Sequence, residues 1–214
     1  MVAISDATTV RRYSGNTMDE LRIVGGHRAL DLANTVEPRP PGRVEKDHLG
    51  EPGALLSWAI RAAIVDEPEA ARIERAWAAD PRAAEAALAD ARALRDLIDP
   101  VLAGERLDIL TARWAQAVGR STLVAPTDHH SPAELRVGRE PAWTIPDRLA
   151  DALVDLVRTA DRSRLRTCPL DQGGCGWLFL DRSRNGTRRW CAMEDCGTHA
   201  KIRRLTERRR TRRA

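Results

Sequence analysis

Cys168-Pro-Leu-Asp-Gln-Gly-Gly-Cys175 and Cys191-Ala-Met-Glu-Asp-Cys196 hold all four cysteines of this 214-residue chain. Two cysteine pairs on separate segments can offer four thiolates in a tetrahedron, which suits a structural Zn²⁺ with no open coordination position. The N-terminus lacks the pattern of a signal peptide, and in a reducing compartment clustered thiols are more typical of metal ligands than of disulfides. The sequence therefore predicts one structural zinc ion per chain, bound by these four cysteines.

A basic segment follows the last cysteine, from Lys201 to Arg213, and gives the chain a strong charge asymmetry. Residues 1–161 carry 20 Arg/Lys and 26 Asp/Glu, net −6, whereas residues 162–214 carry 15 and 5, net +10. Ile202 and Leu205 at helical spacing favour a basic helix over the alternative, a disordered solubilising tail. A positive field this concentrated attracts polyanions, so it indicates nucleic-acid binding.

The segment between the cysteine pairs predicts a β-hairpin. Gly176-Trp-Leu-Phe-Leu-Asp181 is expected to be one strand, Arg188-Arg-Trp190 its partner, and Asn185-Gly186 a type I′ turn. Trp177, Phe179 and Trp190 fit a miniature core beside the metal better than base-stacking positions. His199 is expected at the surface or facing DNA, since four thiolates already fill the zinc shell.

Two basic elements would then face the nucleic acid, the hairpin tip and the helix. Guanidinium and ammonium groups suit phosphate contacts, and guanidinium also suits guanine edges. The predicted nucleic-acid contacts are Arg182, Arg184, Arg188, Arg189, Lys201, Arg203, Arg204 and Arg208.

Upstream of the cysteines, apolar residues recur mostly with helical period. Helices are expected to begin near Pro52, Pro68 and Pro81, and a first one is expected over residues 28–36. Residues 122–125 and 134–137 predict a small hairpin, followed by an amphipathic helix over 147–161. The fold class is mainly α: a helical N-terminal domain with a small β-hairpin, plus a C-terminal four-cysteine zinc finger made of a β-hairpin and a basic helix. The expected division is a flexible leader over 1–20, the helical domain over 21–161 and the finger over 162–214.

The run from Cys175 to Arg204 closely resembles the CGNR zinc finger, and Gly25-Gly-His-Arg-Ala-Leu-Asp-Leu-Ala-Asn-Thr35 resembles the opening of the ABATE domain. That domain precedes the finger in bacterial proteins described as stress-induced transcription regulators. The resemblance implies DNA binding and regulation of transcription. Two features depart from the family pattern: Cys196-Gly-Thr-His199 replaces the naming tetrapeptide, and six residues rather than four separate the first two cysteines.

Polar groups near the N-terminus suggest a second site. Arg28, Asp31 and Asn34 follow one another at three-residue spacing beside an apolar stripe, so they occupy neighbouring helix positions. One hypothesis is that they bind a small-molecule effector. The alternative, which the sequence favours, is structural: Arg28 pairs with Asp31, and Asn34 fixes the proline-rich loop that follows.

These patterns favour a cytoplasmic, bacterial, double-stranded-DNA-binding transcription regulator whose helical domain forms a homodimer or senses a small ligand. An RNA-binding protein using the same basic zinc module is the alternative. A third interpretation makes the finger a protein-interaction module attached to an enzyme. The sequence has no phosphate loop, nucleophile elbow or His-Glu metal motif, and no apolar run long enough to span a membrane, so we expect neither catalysis nor a membrane partner.

Overall fold

The computed structural model describes residues 21–39, 44–126, 128 and 130–211. The predicted leader over 1–20 lies outside these residues. The helices are α1 (Arg28–Ala33), α2 (Pro52–Arg61), α3 (Glu67–Ala79), α4 (Pro81–Leu102), α5 (Leu107–Gly119), α6 (Thr144–Thr159) and α7 (Thr198–Thr211). The strands form three antiparallel pairs: β1 (Val36–Glu37) with β2 (Lys46–Asp47), β3 (Thr122–Val124) with β4 (Glu134–Arg136), and β5 (Leu165–Thr167) with β6 (Leu178–Leu180). The mainly α prediction, with small hairpins and a C-terminal finger, is confirmed.

Local sequence signals explain where the helices begin. Asp66 and Glu69 form a reciprocal capping box at α3, with Glu69 N donating to Asp66 Oδ1 over 2.8 Å. Asp80 accepts hydrogen bonds from the first backbone N–H groups of α4. Proline occupies the first turn of α2, α3 and α4, where a missing N–H costs nothing.

Helix α4 supplies the centre of the core. Its predicted stripe, Ala84, Leu88, Ala91, Leu94, Ile98 and Val101, is buried. Helix α4 packs on α6, which also packs on α5 and α1. Pro100 lies inside the last turn of α4, and the helix continues past it to Leu102, because proline near a helix end removes few intrahelical bonds.

A buried ionic cluster fixes α4, α5 and α6 to one another. Asp147, fully buried at the start of α6, accepts from Arg113 over 2.9 Å and from Arg120 over 2.8 and 2.5 Å. Arg113 also donates to Asp90 of α4 over 2.8 Å. One carboxylate therefore holds two guanidinium groups away from bulk water.

The first helix is shorter than predicted. Helix α1 ends at Ala33, and Val36 lies in strand β1, paired with Asp47 across the proline-rich segment. The Asn34 side chain explains this end, because it accepts from the backbone N of Leu178 and donates to the O of Leu178, each over 2.8 Å. The chain leaves the helix where it meets strand β6.

The finger hairpin differs from the prediction. Strand β6 pairs with β5, before the first cysteine, with Leu165 opposite Leu180 and Thr167 opposite Leu178. Residues 188–190 form no strand. Asn185 does not have the positive φ that a type I′ turn needs; Gly186 does, at 62°, and its N donates to Ser183 O over 3.2 Å. The hairpin therefore lies between β5 and β6, and the segment after β6 is a compact loop.

Candidate metal centre and nucleic-acid interface

Four sulfur atoms meet at the end of the β5–β6 hairpin. Cys168 and Cys175 lie in the loop that joins the two strands, where Cys168 N donates to Trp177 O over 2.8 Å. Cys191 and Cys196 come from the loop after β6 and from the helical turn Met193–Gly197, immediately before α7. All four Sγ atoms lie within 4.8 Å of one another, so two distant segments of the chain converge on one point.

The arrangement fits a tetrahedral zinc ion. Zinc–thiolate bonds of about 2.3 Å place tetrahedral sulfurs about 3.8 Å apart. The Sγ atom of Cys191 is 3.4 Å from that of Cys175 and 3.7 Å from that of Cys196. Three of the cysteines are buried and Cys175 is half-buried, as a closed structural site requires.

Protonation within the cluster also favours a cation. Hydrogen bonds from Cys175, and then from Cys191 and Cys196, hold the pKa of the Cys168 thiol well below its ordinary value, whereas the hydrogen bond to Cys168 raises the pKa of Cys175. One thiolate therefore forms at the expense of its neighbours, since adjacent negative charges repel. A divalent cation permits all four to ionise. When bound, zinc supplies cross-linking between the hairpin and α7; the chain's residues offer it no open position for a substrate.

The aromatic residues of the finger belong to the core, as predicted. Trp177, Phe179 and Trp190 are 5 %, 0 % and 7 % exposed, and they join the same apolar cluster as the helical domain. The Trp177 indole donates to Val36 O over 3.0 Å. The finger is therefore packed onto the residues around α1 and shares their core.

A buried carboxylate organises the loop after β6. Asp181 accepts from Ser183 N over 2.9 Å, from Ser183 Oγ over 2.6 Å and from Arg188 N over 2.8 Å. The Ser183 hydroxyl keeps the pKa of Asp181 below its ordinary value. This Asp-x-Ser turn is visible in the sequence, and it would have argued against two continuous strands here.

Two of the predicted contact residues make contacts inside the protein. Arg188 lies 4.6 Å from the Phe179 ring centre and donates to the carbonyls of Trp190 and Cys191. Arg182 donates to Gly26 O over 2.5 Å, across the junction with the helical domain. Both arginines help to attach the finger.

The other predicted basic residues lie on the outside of the finger. Arg189 is exposed, lies 5.9 Å from the Trp190 ring centre and donates to Gln172. Arg184, Lys201, Arg203 and Arg204 are also exposed; the side chain of Arg208 lies outside the described part of α7. Exposed His199 stands apart from the four clustered sulfurs.

Arg28, Asp31 and Asn34 do not converge on one point. Arg28 is exposed, whereas Asp31 and Asn34 are 6 % and 1 % exposed. Asp31 accepts from Gly25 N over 2.7 Å rather than from Arg28, and Asn34 bonds to Leu178 rather than to the proline-rich loop. The expected Arg28–Asp31 pair is therefore not formed, and a role for these three residues in binding an effector stays a prediction.

Asp31 should make stability depend on pH. Burial raises its pKa to about 6, against the hydrogen bond from Gly25. The folded state therefore binds the proton more tightly than the unfolded state, so this contribution is full at low pH and is lost as the pH rises through about 6. Relative to Asp31→Asn, the wild type should gain about 1.4 kcal/mol of unfolding free energy between pH 7.5 and pH 5. Urea unfolding of both zinc-loaded proteins measures this difference, and a constant difference across that range would contradict the shift.

Several residues at the junction were missed by sequence reasoning. Arg39 N donates to Cys175 O over 3.1 Å, Leu180 N donates to Gly25 O over 2.8 Å, and Arg22 pairs with Glu194 and Asp195. The contacts are mostly between backbone atoms far apart in the chain. No local pattern could have revealed them.

The fold and the metal centre define a class: a four-cysteine zinc-finger protein with a helical N-terminal domain. The family model for ABATE, described as "Putative stress-induced transcription regulator", matches residues 26–160, and the CGNR zinc finger model matches residues 164–209. The first match covers more than half of the chain, so the protein belongs to the ABATE family. A comparison with curated proteins finds no similar sequence. Within the part of the chain that the structure describes, no helix has the length and apolar character that crossing a membrane requires.

Proposed function

We propose that this protein is a bacterial, cytoplasmic transcription regulator that binds double-stranded DNA through its zinc finger and senses a small ligand with its helical domain. The observation that carries the proposal is the exposed basic surface beside a closed metal centre. The ABATE family description supports the regulatory role, and a shell of four thiolates supports a structural rather than catalytic zinc. The chain acts without chemistry of its own.

Helix α7 is the main contact element of the proposal. It begins directly after the last zinc ligand, so the metal fixes its direction. Every side chain from Lys201 to Thr206 is exposed, although Ala200 is buried. A 14-residue helix is about 21 Å long, enough to lie in a major groove and reach its flanking phosphates.

The loop after β6 provides the second contact element. Arg184 and Arg189 are its exposed basic residues, whereas Arg182 and Arg188 are held by the protein. We assign the DNA contacts to Arg184, Arg189, Lys201, Arg203, Arg204 and Arg208. Exposed Ile202 and Leu205 add apolar groups that can contact thymine methyls.

Replacing Arg184 and Arg204 together by alanine should weaken duplex DNA binding and flatten its salt dependence. Each lost phosphate contact releases one fewer counterion set, so the slope of log K against log salt should fall by about 1 per contact. Affinity measured by fluorescence anisotropy at several salt concentrations tests this. Arg158→Ala, which removes an exposed arginine at the end of α6, is the matched control and should leave the slope unchanged.

Two results would contradict the DNA proposal. One is an unchanged slope in the Arg184/Arg204 double variant. The other is tighter binding of the wild type to structured RNA than to duplex DNA at the same salt, which would favour the RNA-binding alternative.

A further inference from the structure

A cleft of about 730 Å³ lies where the helical domain meets the finger. Residues 26–28, strand β4 and helix α6 form most of its walls, and Arg182 from the loop after β6 completes them. A volume of this size accommodates a small organic molecule. The cleft thus touches both parts of the protein.

Two ion pairs in the walls are already complete. Arg148 donates to both carboxylate oxygens of Glu69, over 2.7 and 2.5 Å, and also to Ile64 O over 2.7 Å. Arg136 pairs with Glu134 over 3.1 Å. These pairs hold α3, α6 and β4 together and leave the recognition of a ligand to the other charged groups.

Arg28 and Arg182 form a cationic side of the cleft. Both flank Gly26: Arg28 is two residues further along the chain, and Arg182 donates to the Gly26 carbonyl. Among the described residues, neither has a carboxylate partner within 4 Å. The N–H groups that remain suit a carboxylate or phosphate, which guanidinium binds through paired hydrogen bonds.

Asp151 and Asp155 form an acidic side on α6. Asp151 accepts from the Trp114 indole over 2.8 Å, and Asp155 lies 3.1 Å from His27 Nε2. The two carboxylates are four residues apart on one helix, where like charges repel. An ammonium group placed between them would relieve this repulsion.

We propose that the cleft binds a small zwitterion, with its anionic group on Arg28 and Arg182 and its ammonium group on Asp151 and Asp155. Because Arg182 belongs to the finger and Arg28 to the helical domain, the bound molecule connects the two. As the effector site of the regulator proposed above, the cleft rests on that function, although ligand binding can be measured without DNA.

Calorimetry on the zinc-loaded full chain tests the charge pattern with three probes at constant ionic strength: phosphoethanolamine, inorganic phosphate and ethanolamine. Phosphoethanolamine should bind at least about tenfold more tightly than either single-charge probe, since only it uses both sides of the cleft. Arg182→Gln should lower its affinity about tenfold with zinc content retained. Arg184→Gln, two residues away and outside the cleft, is the matched control and should not change it.

Equal affinity for the three probes, no binding of phosphoethanolamine at 10-fold above about 1 mM, or an Arg182→Gln variant that binds as the wild type does would each overturn the proposal. A DNA arm separates this failure from failure of the proposed function. Probe binding by a chain that does not bind DNA retains the cleft and rejects the regulator; DNA binding by a chain that does not bind the probe rejects the cleft alone.

Discussion

A chain carrying Cys191→Ser should lose its zinc and much of its stability. Cys191 is 2 % exposed and lies between Cys175 and Cys196, so serine in its place leaves three thiolates around a position that needs four. Zinc content should fall from about one per chain to near zero, because tetrahedral structural sites bind with all four ligands together. The free energy of unfolding should fall by on the order of 5 kcal/mol, since metal binding contributes directly to folding.

Metal analysis after dialysis and urea unfolding measure the two effects of Cys191→Ser. His199→Ser is the matched control: it changes an exposed neighbour of the last ligand and should retain both zinc and stability. Full zinc content in the Cys191→Ser protein would remove the basis for the four-thiolate site.

Asp147→Asn should be the most destabilising change outside the finger. The substitution keeps the shape of the side chain but removes the negative charge that Arg113 and Arg120 share inside the protein. Removing one partner of a buried ion pair costs about 3–5 kcal/mol, because the remaining charge keeps its desolvation penalty. Urea unfolding gives the loss as a shift in midpoint at constant slope.

Glu134→Gln provides the comparison for Asp147→Asn. Glu134 pairs with Arg136, but their side chains are 67 % and 61 % exposed, so water screens the interaction. The expected loss is below about 1 kcal/mol. Similar losses in the two variants would mean that the Asp147 cluster does not hold α4, α5 and α6 together as its geometry indicates.

Short-range patterns allowed the helices and the metal ligands to be predicted. The stripe on α4 and the proline at the start of α2, α3 and α4 are local signals, read within one or two turns. The cysteine spacing is equally local. Structures that depend on such signals, including the β3–β4 hairpin, were found where they were expected.

The finger's strand pairing could not be predicted in the same way. Asn185-Gly186 is a strong turn signal, yet the buried carboxylate of Asp181 takes up the backbone N–H groups that a second strand would have used. The charge pattern could not separate exposed arginines from attached ones either. Arg188 and Arg189 are neighbours, but only Arg188 reaches the Phe179 ring and the Cys191 carbonyl.

The two hydrogen bonds from Asn34 to Leu178 join positions 144 residues apart. They make strand β6 a shared possession of the helical domain and the finger. Cut out alone, the finger would expose that strand's backbone together with the apolar face around Phe179, a surface prone to self-association. Exchanging fingers between family members, as engineers do with autonomous zinc fingers, would therefore require the matching segment around Asn34 to be transplanted too.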